Sequence, residues 1–202
     1  MAKERSERSG QVVKMLRPLV IVMGFKQIAA LVLLVGVMIL LFVPSFWRAV
    51  YPIHYYPAIE REALVMHVNP LLVAAVVRVE SHFREDDVSH AGAIGLMQLM
   101  PETAQWVAKK IQMPGIKSVD LARPDLNIRL GSWYLSYLLT MYHGNLPEAI
   151  AAYNAGPNRV NEWLASKVWS GSEVTAYDIP VRETRHFVMR VMYTFGIFKR
   201  FY

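Results

Sequence analysis

A chain of 202 residues with 54% apolar composition is long enough for one ordinary domain with its own core plus a short appendage, which excludes a disordered polypeptide. The formal charge of +6 is concentrated at the front: Lys3, Arg5, Arg8, Lys14, Arg17 and Lys26 against Glu4 and Glu7 leave +4 within residues 1–26, so the remainder lacks the basic stripe of a nucleic-acid-binding domain. The absence of cysteine removes disulfides, thiolate metal sites, cysteine nucleophiles and a lipidated N-terminal cysteine together.

In chain order, residues 1–26 read as a basic cytoplasmic tail. From Ile28 to Val43 every residue is apolar or glycine. With Gln27 before it and Pro44, Ser45, Phe46 and Trp47 after it, the segment 27–47 reaches the roughly 20 residues that span a bilayer. It lies too far from the N-terminus, and runs too long without a small-x-small cleavage site, to read as a signal peptide. The basic residues before the span and the Trp47–Tyr51 aromatic cluster after it predict a single-pass anchor in the inner (cytoplasmic) membrane, with the N-terminus cytoplasmic and the rest of the chain outside. Residues 48–56, bracketed by Pro44, Pro52 and Pro57, read as a stiff juxtamembrane linker.

Over 57–202 the patterns are helical: Pro57–His67, Pro70–Ser81, Pro101–Ile111, Pro124–His143, Pro147–Tyr153, Pro157–Ala165 and Pro180–Arg200. Each opens at or near a proline, which suits a first turn whose N–H groups have no intrahelical partner. Val188, Val191, Met192, Phe195 and Phe198 share one face of the last helix, and Asn127, Leu130, Trp133, Tyr134, Tyr137, Leu138 and Met141 repeat that spacing on the long one. No alternating strand pattern of useful length occurs. The predicted fold is all-α, preceded by a single N-terminal transmembrane helix.

Glu80 ends the apolar run that starts at Leu71, so a carboxyl group is delivered to the end of a buried element, where burial raises its pKa toward that of a proton donor. By spacing alone it can equally be the polar end of a helix, paired with Arg78 or Arg84. Glu85, Asp86 and Asp87 follow in a polar turn and read as a solvated acidic run. Glu183 reads as half of a buried ion pair with Arg129 or Arg182. None of the six histidines falls in a metal-ligand spacing, and no cofactor is expected.

Four blocks then agree in order: Val79-Glu80-Ser81-His82-Phe83, Ser89 to Pro101 with its Gly95-Leu96-Met97-Gln98, Ala151-Ala152-Tyr153-Asn154-Ala155-Gly156-Pro157, and Glu183-Thr184-Arg185-His186-Phe187-Val188. Together they resemble the catalytic domain of the soluble lytic transglycosylases over nearly all of residues 56–195. The resemblance implies a lysozyme-like helical fold in which Glu80 is the sole catalytic carboxylate, protonating the glycosidic oxygen between N-acetylmuramic acid and N-acetylglucosamine. As carboxylate it then takes the proton of the muramic C6 hydroxyl, and a 1,6-anhydro end forms. The resemblance also implies that Ser89, Met97, Gln98, Tyr153, Asn154 and the Phe187 position line the groove for peptidoglycan glycan strands. Ser89 and Gln98 would act through hydrogen bonds and Met97 through contact with a sugar face.

Many members have tyrosine where this chain has Phe187. Either water or Tyr153 then supplies the missing hydroxyl beside the carboxyl, or the carboxyl is more apolar and its pKa higher. Two other readings stay open at this point: a hydrolytic muramidase of the goose-type lysozyme class, and an inactive glycan-binding scaffold. So does the choice of partner between a cell-wall synthesis complex and a secretion complex.

Overall fold

The structure, a computed structural model, describes residues 24–202 apart from Pro114, so the expected basic tail lies almost wholly outside the described residues. The chain divides into two compact units, Met1–Val43 and Pro44–Tyr202. The described part of the first is one helix, α1 (Phe25–Phe42), whose start is closed by Gly24 N–H donating to Gln27 Oε1 at 3.0 Å. After Lys26 and Gln27 every residue is apolar or glycine, and the described side chains are exposed, Leu33 at 70% and Val32 at 67% among them. No single helix among the described residues is long and apolar enough to cross a membrane. Only α1 and α2 (Pro44–Val50), taken jointly as a bent pair, meet that test of length and composition.

The second unit adds α3 (Tyr56–Val65), α4 (Pro70–Ser81), α5 (Pro101–Lys110), α6 (Pro124–Met141), α7 (Leu146–Ala155), α8 (Pro157–Ala165) and α9 (Arg182–Phe201), with short 3-10 turns at Ser118–Ala122 and Ala176–Asp178. Among the described residues there is no strand beyond isolated bridges of Ile94 with Val88 and Leu99. From α3 to α8 each helix carries a proline in its first turn. Helix α9 is the exception and begins two residues after Pro180. Val181 is extended, and the Arg185 guanidinium reaches back to the carbonyl of Ile179 at 2.8 Å, which holds the approach outside the helix.

Helix α4 is the central element. It packs on α3 and α9, and every residue from Leu72 to Val77 is buried, so it is apolar around most of its circumference rather than along one stripe. Asn69 caps it by accepting from Leu71 N–H at 2.9 Å. Helix α7 lies against α6, α8 and α9 and completes the core.

Two polar features tie the layers. Glu62, buried on α3, accepts from Arg129 Nε of α6 at 2.8 Å and from Arg61 Nε at 2.9 Å, and these hydrogen bonds, Arg129's first, hold its carboxyl below the usual range. Arg129 is thereby taken. Glu183 is exposed and has no ion pair among the described residues, which corrects its expected role in a buried pair. The second feature is α2. Part of the stretch from Pro44 onward is a helix seated on the end of α9: Trp47 stacks on Phe201 at 5.0 Å, Arg48 Nε donates to the Phe201 carbonyl at 2.7 Å, and the Tyr202 hydroxyl donates to the Tyr51 carbonyl at 2.8 Å.

Gly131, buried in α6, faces the side chain of Met97, and an added Cβ would overlap Met97 Sδ, Cβ and Cε. Alanine gains about 1 kcal/mol in helix propensity, but overpacking a rigid core costs about 1–3 kcal/mol. Gly131→Ala is expected to lower the urea midpoint followed by circular dichroism; a raised midpoint would show that the Met97 side chain yields freely.

Candidate active site

The site is built where α4 ends. His82 and Phe83 take positive φ of 53° and 63°, which stops the helix at Ser81 and turns the chain away immediately after Glu80. Ser81, fully buried, donates its hydroxyl to the carbonyls of Val77 at 3.2 Å and Leu96 at 2.9 Å. That bond fastens the helix end to the loop that follows.

The loop from Asp87 to Met100 is compact. Ile94 and Leu99 exchange backbone hydrogen bonds at 3.0 and 3.1 Å, Gly95 N–H donates to Asp87 O at 2.9 Å, and Gln98 N–H closes a turn on Gly95 O at 3.0 Å. Gly95 has φ +82°, and a Cβ there would run into Asn127 and the Leu121 carbonyl, so this position requires glycine. Asn127, fully buried on α6, fixes the loop from behind. Its Oδ1 accepts from Met97 N–H at 2.7 Å, and its Nδ2 donates to Ile94 O and Leu121 O, each at 2.9 Å.

Of the residues singled out from the sequence, Gln98, Tyr153 and Asn154 are brought together and line one cavity of about 210 Å³ with Met100, Thr103 and Tyr134. Gln98 Nε2 is committed to the carbonyls of Asp87 and Gly95, both at 2.9 Å, leaving its amide oxygen without a partner among the described residues. Asn154 Oδ1 accepts from the Thr184 hydroxyl of α9 at 2.7 Å. Tyr153 is buried and donates to the Met97 carbonyl at 2.8 Å. Phe187 stacks on it with ring centroids 6.4 Å apart and 12° between planes.

Two residues stand elsewhere. Met97 is fully buried with its side chain against Gly131, so the sugar-face contact expected of it is not open to that side chain; the exposed methionine on the cavity wall is Met100. Ser89 Oγ accepts from Ala93 N–H at 3.0 Å and closes a turn at the far end of the loop. Sequence reasoning passed over Ser81 and Asn127. The signal available was a buried asparagine in an otherwise apolar helix stripe, since such a side chain must find partners.

Glu80 has no hydrogen-bond partner among the described residues. Arg78 sits over the Tyr51 ring at 4.5 Å and Arg84 pairs with Asp87 at 3.1 Å, so neither neutralises it. Burial pushes its pKa up to about 8; the Arg190 charge opposes that shift and the Glu183 charge adds to it. Tyr153 feels the proximity in turn, its pKa raised by burial and then by the Glu80 charge. Because the Tyr153 hydroxyl is spent on Met97, it does not replace the hydroxyl that Phe187 lacks.

The acidic run is occupied elsewhere, with Glu85 accepting from Tyr55 at 2.8 Å and Asp87 holding Arg84. The arrangement is therefore a protonatable carboxyl whose charge reaches Tyr153 of the cavity wall, suited to giving and retaking a proton.

Comparison with known proteins agrees with this geometry. The family model described as "Transglycosylase SLT domain" matches residues 57–175, more than half of the chain. The soluble lytic murein transglycosylase of Escherichia coli is 35% identical over 144 residues, covering 70% of this chain but only 22% of that protein. The endo-type membrane-bound lytic murein transglycosylase A of Klebsiella pneumoniae is 37% identical over 86 residues, 42% of each chain. Among solved structures, the 70 kDa soluble lytic transglycosylase of Escherichia coli superposes with a TM-score of 0.72 at 32% identity, over 77% of this chain and 26% of that one. An inactive mutant of the lytic transglycosylase Slt from Pseudomonas aeruginosa gives 0.68 at 37% identity, over 74% and 24%. The all-helical fold of the second unit is thus the lysozyme-like fold of these enzymes, and the chain belongs to the transglycosylase SLT domain family.

Proposed function

We propose that this chain is a membrane-anchored lytic transglycosylase that cuts the β-1,4 bond between N-acetylmuramic acid and N-acetylglucosamine in peptidoglycan, leaving 1,6-anhydro ends. The observation that carries the reading is Glu80: a half-buried carboxyl with no cation paired to it, a pKa near 8, and a charge felt by Tyr153, which lines the cavity with Gln98 and Asn154.

As the neutral acid, Glu80 protonates the glycosidic oxygen while the bond to C1 breaks. The resulting carboxylate removes the proton of the muramic C6 hydroxyl as that oxygen bonds to C1, so the proton balance closes without water. Ordinary glycosidases divide these tasks between two carboxylates about 5–9.5 Å apart. The raised Glu80 carboxyl, with Glu85 and Asp87 engaged in other contacts, favours the intramolecular route over hydrolysis. In this reading Gln98 and Asn154 hydrogen-bond the sugars, and Tyr153, with Phe187 stacked on it, limits the access of solvent to the carboxyl.

The membrane anchor rests on α1 and the residues around it. Over 18 residues the helix is about 27 Å long at 1.5 Å per residue, close to the roughly 30 Å hydrocarbon core. From Ile28 onward its residues are all apolar or glycine, which suits a non-aqueous surrounding. With the catalytic unit outside the inner membrane, the enzyme works on wall near the bilayer, as part of wall turnover, of a wall-synthesis complex or of a secretion apparatus.

The full-length chain in detergent, incubated with purified peptidoglycan, is expected to release anhydro-muramyl ends, each lighter than a hydrolysed end by one water, and Glu80→Gln is expected to release none. Reducing ends in the mass spectrum would convert the assignment to a muramidase, and binding without any cut ends to a scaffold.

Because the acid form is the active one, kcat/KM should be level below about pH 8 and fall about tenfold per unit well above it. A tyrosine at position 187 would offer the carboxylate a hydrogen bond and lower its pKa. The alkaline limb of Phe187→Tyr should therefore move to lower pH; an unmoved limb would place the hydroxyl out of reach of Glu80.

A carboxyl whose folded pKa is raised from 4.5 to about 8 loses stability for the fold as pH rises between those values, since the unfolded chain ionises first. Glu80→Gln is expected to match the parent's melting temperature near pH 4 and to exceed it near pH 8. Equal values at both would mean that the carboxyl is solvated.

A further inference from the structure

The cleft continues past the Tyr153 cavity. A second cavity of about 320 Å³ is lined by Glu102, Thr103, Trp106, Tyr134, Tyr137 and Pro157. Thr103 and Tyr134 also line the first, so the two adjoin along one groove. Ordered along the chain of contacts, Glu80 lies next to Tyr153, Tyr153 next to Tyr134 with ring centroids 5.5 Å apart, and Tyr134 next to Trp106 at 6.2 Å.

Trp106 is the most exposed tryptophan among the described residues, at 37%, and Lys110 Nζ lies over its ring 5.9 Å from the centroid. It meets Trp133 at 5.5 Å and 68°, and Tyr137 at 5.2 Å and 71°. Trp133 and Tyr137 are themselves stacked, 6° from parallel, and form a rigid backing. Edge-to-face contacts on several sides fix the plane of an indole without covering all of it. The same side chain forms part of the wall of the second cavity, where a fixed aromatic surface can receive the apolar face of a ligand.

We propose that Trp106, with Tyr137, is an accessory stacking platform for a saccharide ring of the glycan strand, remote from the bond that is cut. The proposal rests on the reading of the first cavity as the glycan groove. Continuity with that groove identifies the occupant as a further stretch of the same polymer. The rim supplies the polar complement, the Glu102 carboxylate and Thr103 hydroxyl beside the aromatic wall, which suits a sugar with one apolar face and a hydroxylated edge. Binding energy gathered so far from the reacting centre raises the affinity for long strands and leaves the chemistry at Glu80 to the nearer contacts.

The test uses the full-length chain in detergent. Trp106→Ala is expected to raise KM for long glycan strands about tenfold while kcat moves little, with the penalty shrinking on fragments too short to reach the platform. Trp106→Phe, which keeps a ring, should recover most of the loss. Glycan strands are then titrated into the Glu80→Gln chain while the Trp106 indole N–H resonance, assigned by its absence from the Trp106→Phe spectrum, is followed. A shift that saturates with binding supports the platform even if Trp106→Ala folds poorly. Strands that bind without moving that resonance, or a Trp106→Ala enzyme with unaltered KM on long strands, overturn it. If the parent chain cuts nothing, the catalytic reading fails separately, and the resonance still decides whether the platform binds glycan.

Discussion

The three hydrogen bonds of Asn127 are the constraint on which the cleft depends. One buried side chain on α6 satisfies the Met97 N–H and the Ile94 and Leu121 carbonyls, backbone groups of an irregular loop that would otherwise be left unpaired in the interior. Once that loop is held, Ser81 can bond to Leu96, and the end of α4 is fixed against it. Tyr153 then finds the Met97 carbonyl, Gln98 is turned into the cavity, and Phe187 closes over Tyr153. Remove the amide and each of those contacts loses its reference point.

Much of the helical frame was legible because prolines mark first turns and apolar residues recur at helical spacing. Helices α4 and α8 have the boundaries their sequence patterns predict, Pro70–Ser81 and Pro157–Ala165, and the others differ by a few residues at their ends. The legible part of the site was likewise local: a carboxyl at the end of an apolar helix, and a glycine-terminated helix carrying Tyr153 and Asn154. What stayed hidden depends on partners distant in sequence. Nothing near Met97 indicates that Gly131 will make room for its side chain, and nothing near Glu62 announces Arg129, 67 positions away. Exposure of one tryptophan among several on helix faces is equally invisible to spacing, since it is set by how α5 meets α6.

The surroundings of Glu80 show how an unfavourable group is retained. A half-buried, unpaired carboxyl with a raised pKa opposes folding at neutral pH, and its site is correspondingly bounded by elements that are over-determined. Helix α4 is buried along six successive residues, the loop is pinned by α6, and Asn154 is tied to α9 through Thr184. The contrast with Glu62 is instructive. Both carboxyls are on helices of the same core, yet Glu62 is clamped by two guanidinium groups and its pKa is lowered, whereas Glu80 is kept from its neighbouring arginines and its pKa is raised. One is held charged and the other is held protonatable near neutral pH.

The seat of α2 on the end of α9 has a consequence for how the molecule comes into being. Helix α9 is the last in chain order, and it is the packing partner of α2, α4 and α7. During synthesis neither the helix that follows the apolar segment nor the helix that carries Glu80 meets this partner until α9 has been made. The cleft therefore cannot close before α9 has emerged.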